Sequence, residues 1–118
     1  MSVEIQNLVP QLTTAQVNIS VNVSATLNIT AFTAKRKVNV LILNRVGTGL
    51  FGDAPSLVVT DKTICWRVPI FVSTASHGRL GQVGQIDVDA QTGAILSNDD
   101  LLKAIGDNAE RLVVGTAS

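Results

Sequence analysis

The chain has no tyrosine, one tryptophan, three phenylalanines, one cysteine and one histidine in 118 residues. With aromatics at 3% and apolar residues at 46%, the core has to be aliphatic. The length suits one domain, 1–118, rather than two. A lone cysteine, Cys65, excludes a disulfide scaffold. The longest apolar run is Val40 to Leu43, far short of the roughly 18 residues of a membrane span. Charge of one sign is lacking as well: nine Lys plus Arg stand against nine Asp plus Glu, which excludes a generally basic nucleic-acid binder. What is abundant is Val, Ile, Leu and Ala, and this excludes a disordered chain. Composition therefore sets a class and an architecture, not an activity.

The zero net charge hides a gradient. Residues 1–34 carry a net −1, residues 35–79 a net +5 and residues 80–118 a net −4. Either the fold pairs the basic middle with the acidic end, or the opposed patches favour self-association. The opening MSVEIQNLVPQ has neither a basic n-region nor a long apolar run, so no signal peptide is read and a cytoplasmic place is expected. The Asn-x-Ser/Thr triplets at Asn18, Asn22 and Asn28 then read as the polar side of an alternating segment, and Cys65 as a reduced, buried thiol.

Residues 1–14 are weakly patterned and read as a loose arm or part of a first helix. Residues 17–23 alternate strictly, with Val17, Ile19, Val21 and Val23 on one face, which predicts a half-buried strand. Over 30–46, Ala31, Ala34, Val38, Leu41, Ile42 and Val46 recur at helical spacing, with Thr30 as N-cap and Gly47 as C-cap. A strand through Val38, Val40 and Ile42 competes; the helix is preferred because Lys35-Arg36-Lys37 leads into a long segment that a glycine ends. Residues 47–55 read as a loop. Strands follow at 56–60 and 63–73, the second with Ile64, Trp66, Val68, Ile70 and Val72 on one face and Pro69 marking an edge or a bulge. A Gly-containing loop is expected at 74–82, a strand at 83–89, a tight turn at Ala90-Gln91-Thr92-Gly93 with Gly93 at positive φ, and a short strand at 94–96. A final helix, capped by Ser97, carries Asp99 and Asp100 in its first turn and a stripe of Leu101, Leu102, Ile105, Ala109 and Leu112. Hairpin-length connections imply an antiparallel meander. The expected fold is a two-layer α+β domain, an antiparallel sheet of four to five strands with two helices packed on one face.

The stretch Gly84-Gln85-Ile86-Asp87-Val88-Asp89-Ala90-Gln91-Thr92-Gly93-Ala94-Ile95-Leu96 resembles the ending of PepSY-type domains, which are small α+β modules closed by a V-D-A-x-T-G-x-I element. Residues 31–47 match the helix of such a module and 63–72 its preceding strand. Two features depart from the pattern: no export signal is expected from the opening residues, and the loop expected at 74–82 is longer. The resemblance implies a non-catalytic interaction or inhibitory module and carries over no catalytic residue.

Each stretch with chemical potential also has a plainer reading. Asp87 and Asp89 lie about 6.5–7 Å apart on one strand face; Asp89 suits a turn acceptor and Asp87 a partner for Arg67. Gln91-Thr92-Gly93 places an amide where an aspartic protease needs a carboxyl, so that chemistry is excluded. His77, beside Ser76, lacks a positioned third group and reads as a loop histidine. Gly47-x-Gly49-x-x-Gly52 follows a helix instead of opening one, so it is not a dinucleotide loop. Lys35-Arg36-Lys37 has no aromatic platform for nucleic acid and reads as a solvated helix face.

The function expected is therefore contact, not catalysis: a non-catalytic interaction or regulatory module, self-associating as a homodimer, with another protein as a further partner. No enzyme activity, metal, cofactor, nucleic acid or membrane enters this reading. The alternative is a small-ligand domain with an apolar pocket between helix and sheet. Phe51, Trp66, Arg67, Phe71, His77 and Arg79 are the candidate contact residues, because the basic middle of the chain holds three of its four aromatics.

Overall fold

The structure, a computed structural model, describes residues 2–5 and 27–117. The elements run β1 (Ser2–Ile5), α1 (Ala31–Arg45), β2 (Leu50–Gly52), β3 (Ser56–Val59), β4 (Ile64–Thr74), β5 (Gly78–Asp89), β6 (Ile95–Leu96) and α2 (Asp99–Ala117). This is the expected α+β arrangement. Five strands, β2 to β6, pair antiparallel, and β1 adds itself parallel to β3. The alternating segment 17–23 lies outside the described residues.

α1 begins where the sequence places it: the Thr33 N–H donates to Thr30 Oγ1 at 3.1 Å, the expected N-cap. It ends with the N–H groups of Val46 and Gly47 both donating to the Ile42 carbonyl. α2 differs by one residue. Asn98, not Ser97, is the cap, its Oδ1 accepting from the Leu101 N–H at 2.7 Å, while Asp99 and Asp100 occupy the first turn at the positive end of the helix dipole.

Two segments read as loops are partly strand. Leu50–Gly52 lies inside 47–55 and pairs with Ile70–Val72. The expected loop at 74–82 shrinks to a turn at 75–77, and β5 starts at Gly78. The cause is visible in the register. Pairing with β4 shifts between Ile70 and Phe71 and again between Val72 and Ser73, so β5 is bulged twice and carries Gly78, Gly81 and Gly84. Bulges and glycines erase the period-two signal.

Pro69 is neither on an edge strand nor at a bulge of its own. It sits in the central strand β4, opposite the gap between β3, which reaches Arg67, and β2, which begins at Ile70. Its carbonyl accepts from the Asp53 N–H at 2.9 Å, so the N–H it lacks would point toward the gap.

The core joins the even-numbered face of β4 (Trp66, Val68, Ile70, Val72) to Val83, Ile86 and Val88 of β5, to Ala34, Val38 and Ile42 of α1 and to Leu102, Ile105 and Ala109 of α2. Both helices thus contribute to one cluster on one face of the sheet. Two glycines leave room for this packing, Gly52 for a side chain of the neighbouring strand and Gly84 for one of α2. A Cβ on Gly52 would lie 2.7 Å from Val68 Cγ1, and one on Gly84 would lie 2.6 Å from Ile105 Cγ1. The opposite face of β4 carries Cys65, Arg67 and Phe71.

Candidate functional site

Three places bring together residues with chemical potential: the turn after β5, the aromatic end of the sheet, and the outer side of α1.

The turn is a docking device for α1. Asp89 Oδ1 accepts the N–H groups of Gln91 (2.8 Å) and Thr92 (2.9 Å), and Gly93 takes φ +79°, as expected. These backbone donors, Thr92 before Gln91, hold the Asp89 carboxyl below its ordinary range. The closed turn presents its carbonyls to the other layer. Lys37 Nζ donates to the Gly93 carbonyl at 2.6 Å, and Asn28 Nδ2 to that of Gln91 at 2.7 Å. The N–H groups of Asn28 and Ile29 reach the Ala90 carbonyl, and Trp66 Nε1 donates to the Ile29 carbonyl at 3.0 Å. The conspicuous Asp-Ala-Gln-Thr-Gly stretch is thereby committed to holding the start of α1.

At the sheet's far end, Phe51 of β2 and Phe71 of β4 are register partners with ring centroids 6.0 Å apart and planes 25° from parallel. The Arg79 guanidinium from β5 lies 4.3 Å from the Phe71 centroid and 5.2 Å from that of Phe51. Its NH2 group reaches Asp53 Oδ2 at 2.8 Å. The Ala54 N–H first, and Arg79 second, keep the Asp53 carboxyl below its ordinary range. Three of the six candidates, Phe51, Phe71 and Arg79, therefore form one cluster. The sequence reasoning missed its fourth member, Asp53, which is 26 residues from Arg79 and becomes visible only through the β2 pairing.

The other candidates lie elsewhere. Arg67 makes a bidentate pair with Asp87, Nε to Oδ1 at 2.9 Å and NH2 to Oδ2 at 3.1 Å, as the strand register dictates. Trp66 is 3% exposed in the core. His77 stands in the exposed β4–β5 turn, its Nδ1 2.9 Å from Ser76 Oγ. Trp66 and His77 thus stand apart from the aromatic cluster, and among the described residues no carboxylate is hydrogen-bonded to His77. Among the described residues no three His, Cys, Asp or Glu side chains are grouped to hold a metal ion.

The outer side of α1 was not singled out from sequence. With Ala34, Val38 and Ile42 turned to the sheet, Phe32, Val40 and Leu43 face outward at 70%, 55% and 62% exposure. Arg36 lies between them, its guanidinium 5.8 Å from the Phe32 centroid. Two open hollows border this ridge. One of about 510 Å³ runs along Val40, Leu41, Asn44 and Ile95, and one of about 300 Å³ lies along Phe32, Asn39 and Leu43. The signal was present in the sequence as a helix apolar on more than one side, which ordinarily means burial on more than one side.

No helix among the described residues is long and apolar enough to cross a membrane. Comparison with protein-family models, with curated proteins and with solved structures finds no match to this chain.

Proposed function

We propose that this protein works by contact and not by catalysis, as a cytoplasmic interaction or regulatory module that self-associates as a dimer. The observation that carries this reading is the ridge of Phe32, Val40 and Leu43 on α1. Three large apolar side chains exposed together around Arg36, on an element already packed on its other side, are costly to leave in water, and such clusters mark interaction surfaces. The resemblance of residues 84–96 to the PepSY ending agrees with a non-catalytic module, and here that element serves to seat the helix bearing the ridge. A small ligand between helix and sheet has less support. Ala34, Val38, Ile42, Val68 and Ile70 are fully buried there, and even the methyl groups that Gly52 and Gly84 lack would be too close to their neighbours. The Phe51–Phe71–Arg79 cluster is a secondary contact surface, with its arginine already held by Asp53. Light scattering across low to high micromolar concentration tests the reading: a mass rising from monomer to dimer is expected, and a strict monomer throughout overturns it.

A further inference from the structure

We propose that the occupant of the α1 ridge is a second copy of this chain, and that α1 of each copy lies on α2 of the other about a two-fold axis. The proposal rests on the self-association argued above and names its surface. Charge chooses the pairing. α1 has no acidic residue; Arg36 has no ion-pair partner among the described residues, and Lys35 has none at ion-pair distance, its charge reaching Asp53 only from farther off. On the outer side of α2, Asp107, Glu110, Arg111 and Val114 line an open hollow of about 590 Å³, and Val114 is 61% exposed. Asp100 and Glu110 are likewise without an ion-pair partner there. Setting α1 on α1 would oppose the Lys35 and Arg36 clusters of the two copies, and setting α2 on α2 would oppose their acids. Setting α1 on α2 satisfies both, and a two-fold axis forms the same contact twice.

The two helices already offer one continuous surface. Arg45 at the end of α1 pairs with Asp99 at the start of α2 at 3.0 Å, and Val46 lies beside Gly106. At 1.5 Å per residue α1 and α2 are about 22 and 28 Å long; at about 10 Å width they present on the order of 500 Å² per copy. The total of about 1,000 Å² is at the lower limit for a specific interface, which fits an association seen at micromolar concentration.

Sedimentation velocity with two charge-reversed variants tests this. One carries Lys35→Glu with Arg36→Glu; the other carries Asp100→Lys with Glu110→Lys. Arg36, Asp100 and Glu110 are exposed and Lys35 is half-buried, so Trp66 fluorescence is used to verify that each variant folds. Each variant alone should dimerise about tenfold or more weakly than the wild type. An equimolar mixture should recover dimer as a heterodimer, since every helix contact in it is again of opposite charge. Added salt should weaken the wild-type dimer. A wild-type dimer indifferent to both variants overturns this surface and leaves self-association standing. A wild-type dimer that salt strengthens and Val40→Asp abolishes assigns the contact to α1 on α1 and overturns the pairing. A wild-type monomer at all concentrations overturns both readings, and its cosedimentation with phosphatidylserine vesicles would give the ridge to a lipid surface.

Discussion

Gly84 shows how much a single missing methyl controls. Its backbone needs no unusual φ, so its role is space: a Cβ there falls 2.6 Å from Ile105 Cγ1, a branch atom that cannot swing away as the tip of a long side chain can. Gly84→Ala should destabilise the fold by about 1–3 kcal/mol through overpacking. Ile105→Ala alone should cost about 2–5 kcal/mol by leaving a cavity in the core. The double variant should cost clearly less than the sum, because the new methyl fills part of the space that Ile105 vacates. Urea titration of the three variants measures this; strict additivity would show that Gly84 and Ile105 do not share the contact. The glycine was legible in the sequence as a residue, but its meaning was not. In the expected strand 83–89 it carried no sign of a helix contact, whereas in the sheet it marks a place where α2 presses close.

At the scale of elements, what was legible followed from periodicity undisturbed by neighbours. The α1 segment, the even-numbered face of β4, the Asp89 turn and the α2 stripe all stand where their patterns put them, because each has a continuous run of one period or a specific cap. β2 and the first half of β5 were hidden for physical reasons. β2 has three residues, too few for any period, and β5 is interrupted by two bulges. Bulges leave backbone groups without ladder partners, and α2 supplies one of them: Asn108 Nδ2 donates to the Val83 carbonyl at 2.9 Å. No local pattern in the sequence announces a bond across 25 residues between a helix side chain and a bulged strand. Asn108→Ala should cost about 1–3 kcal/mol, the penalty for a part-buried acceptor left unsatisfied. Its amide proton exchange should also accelerate first around the bulges at Leu80 and Val83 rather than in the unbulged 86–89 stretch. Equal acceleration along β5 would mean that Asn108 acts only on global stability.

The candidate site was half legible: Phe51, Phe71 and Arg79 meet because register brings them together, while Trp66 was drawn into the list by its aromaticity and belongs to the core. At the scale of the whole molecule the charge gradient resolves in the same mixed way. Arg45–Asp99 joins the basic middle to the acidic end, as does Arg67–Asp87, yet Lys35 and Arg36 stay on one helix and Asp100 and Glu110 on the other. Cooperative opening of this whole can be followed at one atom. Cys65 lies in the central strand, is 4% exposed, and pairs in register with Val58 and Asp89. Burial pushes its thiol above the ordinary value of 9.0, against a smaller opposing pull from the Thr63 side chain. The folded state therefore holds the neutral thiol, and reaction with a disulfide reagent needs opening to release the thiolate. A group whose pKa is raised on folding contributes stability below its unfolded pKa, and that contribution is lost as pH climbs through the folded value. Stability should accordingly decline above about pH 9 in the wild type, and Cys65→Ala should abolish that part of the decline. At neutral pH the labelling rate of Cys65 should rise with urea at the slope of global unfolding, since β4 is bonded on both sides and cannot open alone. Labelling that ignores urea would show a local route to the thiol outside the cooperative unit.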